Sequence, residues 1–267
     1  MFEDNLILAF TLTTLAGLST GIGSFIAFFT RHTNKAFLSM ALGFSAGVMI
    51  YISFVELMPE ALEMLEPVHG YNMGAWIMSA GFFSGVFIIG IIDRLVPEHE
   101  NPHEARKVEE VHGEIDRAKM HRMGIFAALA IAIHNFPEGM ATFFATLADP
   151  TLGVAIAIAI ALHNIPEGIA VAVPIYYATK SRAKAFWLSM ATGLAEPLGA
   201  LIGFMILRPF ISPTVMGFVF AFIAGIMVFI SLDELFPAAK EYGKGHLAIY
   251  ALVAGMMVMS LTLLLLM

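Results

Sequence analysis

Two stretches decide the fold: IAIHNFPEGMA at 131–141 and IALHNIPEGIA at 160–170. They lie 29 residues apart, and each sets a histidine, an asparagine, a proline and a glutamate inside an apolar run. Reading outward, the chain divides into eight such runs, at about 5–30, 36–60, 71–96, 121–147, 151–178, 183–207, 213–238 and 245–267. Each meets or exceeds the ~20 residues a helix needs to cross a hydrocarbon core. The expected fold class is therefore an all-α membrane protein of eight transmembrane helices, forming a single domain over 1–267. Spans 4 and 5 carry the two quoted stretches, and consecutive spans run in opposite directions, so the motifs form an antiparallel pair.

Composition supports this. Of the 267 residues, 59% are hydrophobic and only 13% are charged, whereas a soluble domain carries about a quarter charged residues. No nucleic-acid partner is expected. The net charge of −7 says little about the partners of a membrane protein. With no cysteine in the chain, disulfides and thiolate metal ligands are excluded. The opening MFEDN lacks the basic region of a signal peptide, so 5–30 is expected to remain as a span.

Basic residues give the orientation. The loops after spans 1, 3, 5 and 7 hold 13 of the 14 Lys and Arg, and only Arg208 lies on the other side. The positive-inside rule makes the richer side cytoplasmic, with both termini on the non-cytoplasmic side. The expected location is the cytoplasmic (inner) membrane.

A second repeat pairs AGVMIYISFVELMPEA (46–61) with AGIMVFISLDELFPAA (224–239), identical at 9 of 16 positions. Upstream, Gly17-Leu18 and Gly23 match Gly193-Leu194 and Gly199. The pattern predicts a three-plus-two-plus-three inverted repeat, with copies at about 5–96 and 183–267 around a central pair at about 121–178. Inverted repeats around a central polar site are a common transporter construction.

The central helices carry the chemistry. At about 100° per residue, Glu138 lies some 40° round from His134 and falls between His134 and Asn135 on one arc. Glu167 relates to His163 and Asn164 in the same way. Two facing arcs offer imidazoles, carboxamides and carboxylates, a set suited to one or two borderline divalent ions. His134, His163 and Glu196 fall near mid-span, where an ionisable group costs at least ~2.5 kcal/mol, so the group needs a ligand or one another. Pro137, Pro166 and Pro197 each free a carbonyl one turn upstream, and Gly139 and Gly168 allow close helix approach. A purely structural hydrogen-bonded network is the duller alternative, and it does not readily explain the duplication.

With HNFPEG, HNIPEG and LAEPLGA (194–200) in place, the sequence resembles the ZIP (Zrt/Irt-like) family of divalent-metal transporters, in particular its bacterial members, over essentially the whole chain. The resemblance implies a binuclear centre. One position would use His134, Glu138, His163 and Glu167; the other would use Asn135, Asn164 and Glu196, with Glu138 and Glu167 shared. Some members carry Gln-Asp where this chain has His163-Asn164, so the centre here is less anionic. The implied cargo is Zn2+, Fe2+, Mn2+, Co2+ or Cd2+, moved into the cytoplasm with no separate cofactor, and homodimers are common in the family.

Glu56, Asp233 and Glu234 lie toward span ends and are candidate entrance and exit ligands, or else interfacial carboxylates. Ser19, Thr20, Ser45 and Ser53 read as helix-packing groups, with a ligand role as the alternative, and Met49 and Met227 as core packing, with a soft-ligand role as the alternative. The loop at about 97–120 and its edge hold His99, His103, His112 and His121, either a metal-receiving loop or a charged linker. Two other functions compete with a carrier: a di-metal enzyme, and a metal-gated channel or sensor. Di-iron bundles favour Glu-x-x-His spacing, unlike the His-x-x-x-Glu here.

Overall fold

Backbone N–H and C=O groups in lipid must be satisfied within the chain, and runs of this length achieve that only as helices or closed barrels. In the computed structural model, which describes residues 5–27, 35–95 and 117–266, helix is the sole regular structure among the described residues. The helices are α1 (Leu6–Ala27), α2 (Lys35–Ile52), α3 (Met58–His69), α4 (Tyr71–Leu95), α5 (Arg117–Ala148) and α6 (Pro150–Thr179). They continue as α7 (Arg182–Gly193), α8 (Ala195–Leu207), α9 (Pro213–Ile230), α10 (Phe236–Tyr242) and α11 (Leu247–Leu266).

Among the described residues, seven stretches are long and apolar enough to cross a membrane, and they match seven of the eight expected spans. The remaining long helix is α5, whose middle carries the polar HNFPEG sequence. The protein is a multi-pass membrane protein. Three spans are compound: α2 passes into α3 through a π-helical turn, Ser53–Leu57, and α9 into α10 through another, Ser231–Leu235. α7 and α8 make up span 6, interrupted at Leu194.

Boundaries differ from the sequence reading where polar residues extend a helix past the apolar run. Span 2 continues to His69 rather than stopping near 60, because MPEALEMLEPVH is a good helix-forming sequence beyond the hydrocarbon. Glu56 therefore sits inside a long helix instead of near its end. Span 7 runs to Tyr242, and α5 starts at Arg117, inside the expected loop. His99, His103 and His112 lie outside the described residues, as does the His121 side chain.

Short loops are set by local chemistry. Asp149 accepts hydrogen bonds from the Thr151 and Leu152 N–H groups, with Pro150 opening α6. Ser181 caps α7 and Ser212 caps α9 in the same manner. These residues satisfy donors that a helix start leaves open.

Packing sorts the spans into two bundles. α1, α5, α6, α7 and α8 pack on one another, while α2, α3, α4, α9, α10 and α11 form the other group. Glycines set the tight crossings. A Cβ at Gly17 would strike the Gly193 carbonyl, and one at Gly193 would strike that of Gly17. Gly23 lies against the Ile165 carbonyl and Gly199 against that of Phe136; in the second bundle Gly85 meets Phe222 and Gly255 meets Phe44. Gly23 and Gly199, matched in the sequence, thus pack alike on the residues that follow the two HN pairs.

Candidate metal centre

The antiparallel pair α5 and α6 brings the two HNxPEG arcs face to face. His134 Nε2 lies 3.0 Å from Glu138 Oε1 on its own helix and 3.3 Å from Glu167 Oε1 on the other. His163 Nε2 lies 3.1 Å from Glu138 Oε2. Glu138 therefore stands between the two imidazoles, one carboxylate oxygen toward each. Ligand atoms of His134, Glu138 and Glu167 all lie within 4.8 Å of one another. All four residues are buried.

The asparagines are held by carbonyls from neighbouring spans. Asn135 Nδ2 donates to the Thr192 carbonyl and Asn164 Nδ2 to the Ala16 carbonyl, each at 3.1 Å. Both amide nitrogens are thus used, and both Oδ1 atoms are buried without a donor. Asn164 Nδ2 also donates to Glu196 Oε1. Glu196 lies in the first turn of α8, immediately after the break at Leu194, where the helix dipole favours a negative charge.

Close backbone approach makes this geometry possible. A Cβ at Gly139 would collide with the Glu196 carbonyl, and one at Gly168 with that of Thr20. The structure thus brings His134, Glu138, His163 and Glu167 together and joins Asn164 to Glu196, while Asn135 is held by the Thr192 carbonyl.

Donors and acceptors do not balance there. Glu167 Oε2, Glu196 Oε2 and the two asparagine Oδ1 atoms are buried without a partner, and Glu138 Oε1 and Glu167 Oε1 share the single His134 Nε2. Buried acceptors left this way cost about 1–3 kcal/mol each, more when charged. A cation is the natural complement, and oxygen with imidazole nitrogen suits a borderline divalent metal.

Glu56, Asp233 and Glu234 make no direct contact with this cluster among the described contacts, though Glu234 lies within its electrostatic reach. Glu234 is buried, with Asp93, Asp233, His134 and Glu167 in its electrostatic surroundings. Asp233 is exposed and Glu56 half-buried, the latter near Glu60, which in turn faces Asp149. Asp93 was missed in the sequence because nothing near it in the chain marks it. Ser19 and Ser53 bond to helix carbonyls, as packing groups do, and Met49 and Met227 are core residues. Thr20 and Ser45 are buried hydroxyls without a partner.

Comparison with known proteins adds the lineage. Residues 93–263 match the family profile described as "ZIP Zinc transporter". The chain belongs to the ZIP family. Among its ZIP relatives is the zinc transporter ZupT of Chlorobium luteolum, 60% identical over 259 residues and 97% of each chain. That of Chlorobium phaeovibrioides is 61% identical over the same shares. A third, from Streptococcus mutans, is 56% identical over 98% of this chain and 99% of the relative.

Proposed function

We propose that this chain is a carrier that moves divalent metal, zinc foremost, across the cytoplasmic membrane into the cell through a binuclear site at mid-depth. The observation that carries the reading is the α5–α6 cluster, where two imidazoles and the Glu138 and Glu167 carboxylates converge at 3.0–3.3 Å beside the unpartnered buried oxygens Glu167 Oε2 and Glu196 Oε2. The relatives named as zinc transporters support zinc as cargo; the same N/O donors suit Fe2+, Mn2+, Co2+ and Cd2+.

One ion takes His134, Glu138, His163 and Glu167. The second takes Asn135, Asn164 and Glu196 and shares Glu138 and Glu167. Glu56 lies on the entrance side, with Glu60 and Asp149, and Glu234 on the exit side, with Asp233 and Asp93. The basic loops place that exit side, and Asp93 with it, toward the cytoplasm, and both termini outside. The matched glycine contacts support the inverted three-plus-two-plus-three plan, and the belt of exposed apolar side chains supports contact with lipid. A homodimer is the proposed assembly.

This activity is transport, not catalysis. An ion sheds its water for buried ligands, and release follows when the site changes exposure or protons compete for those ligands. Radiolabelled zinc uptake into proteoliposomes tests the reading. His134→Ala and Glu138→Ala should each fall to the protein-free background, and wild-type uptake in both variants would refute it.

A further inference from the structure

Glu196 has a counterpart that is not a carboxylate. The repeat that equates Gly17 with Gly193 also equates Thr20 with Glu196, both at a separation of 176 residues. Their backbones are used alike, since Gly139 of α5 packs on the Glu196 carbonyl and Gly168 of α6 on the Thr20 carbonyl. The residues four positions earlier agree, because the Thr192 carbonyl holds Asn135 and the Ala16 carbonyl holds Asn164. Only the side chains break the match.

Glu196 reaches the asparagine of α6. The corresponding position lies beside the asparagine of α5, and there the chain offers Thr20. Its hydroxyl is fully buried and unpartnered. A helical threonine usually bonds back to the carbonyl one turn earlier, as Thr13 and Thr14 do in the same helix. Thr20 does not. It lies against Gly193, next to the Thr192 carbonyl that anchors Asn135, whose Oδ1 also lacks a donor. Two unsatisfied buried oxygen groups on the same side of the centre mark a place for a cation or its bound water.

We infer that Thr20 is a further binding residue of the centre, a neutral oxygen ligand on the Asn135 side where the other repeat supplies the Glu196 carboxylate. The inference rests on the carrier reading above. Thr20 keeps the centre one negative charge short of symmetric, so divalent ions are held on that side by neutral oxygens and leave more readily. The two repeats are interchangeable in this respect, and either can supply the carboxylate.

The experiment is an exchange in the full-length protein, read by zinc uptake in proteoliposomes and zinc titration calorimetry in detergent. Glu196→Thr should reduce uptake by roughly tenfold or more, and Thr20→Glu combined with Glu196→Thr should recover most of the loss. Thr20→Val, which keeps the shape and removes the hydroxyl, should weaken zinc binding severalfold while the protein elutes as a folded species. A double variant that folds but transports no better than Glu196→Thr overturns the inference. If the double variant does not fold, Thr20→Val decides alone: unchanged affinity and stoichiometry overturn the inference, and weakened binding upholds it. Wild-type uptake by Glu196→Thr would remove the premise and the inference with it, while loss of uptake in His134→Ala would leave the carrier reading standing.

Discussion

Glu138 is the residue on which both halves of the centre converge, because its two oxygens face different imidazoles. Glu138→Gln keeps the volume and removes the charge. Its zinc affinity, measured by calorimetry, should fall by at least tenfold, since even outer-shell changes at metal sites cost that much. The convergence of His134, Glu138, His163 and Glu167 was legible in the sequence because a helix fixes the angle between positions four apart, and because a motif written twice is hard to attribute to packing. Asp93 was not legible, and Thr20 was legible only as one of several span hydroxyls. Their significance depends on which residues far along the chain stand beside them, and no local spacing encodes that. The glycines are intermediate. HNxPEG suggested close approach at Gly139 and Gly168, but only the structure shows that the Glu196 and Thr20 carbonyls lie there. Gly139→Ala should destabilise the protein by about 1–3 kcal/mol through overpacking, seen as a lower unfolding temperature in detergent.

The compound spans carry information of a different kind. A π turn holds one extra residue, which rotates everything after it by about 100° relative to a continuous α-helix. The two turns, Ser53–Leu57 and Ser231–Leu235, contain Glu56 and Glu234 respectively, so each aims an acidic side chain that a regular helix would direct elsewhere. In both, the serine hydroxyl bonds the carbonyl one turn earlier, and a proline follows, Pro59 or Pro237. The repeated SxxELxP was plain in the sequence; the extra residue was not, because alternative helical windings leave apolar residues equally apolar. Deleting the exposed Leu232 should restore the α-helix and turn Glu234 away. The expected result is lost zinc uptake with an unchanged elution profile.

At the scale of the molecule, a cysteine-free chain makes the orientation directly measurable. A single cysteine at exposed Asn72 should react with an impermeant maleimide in intact cells, and one at exposed Lys244 only after permeabilisation. Uptake should also weaken as the medium is acidified below neutrality, because the ligands bind metal as neutral imidazoles and ionised carboxylates. The multi-span character was readable from composition, and the orientation is what the Lys and Arg distribution predicts. The grouping of spans into two bundles was not readable, since it depends on which apolar faces meet. The tight glycine crossings described above all join spans of the same bundle, so the seam between bundles, chiefly α2 against α6, carries none of these backbone interlocks. In mechanical terms the seam is the soft direction and the ligand cage the stiff one. Shear along it would present the cargo to a different compartment without altering the distances that recognise the ion.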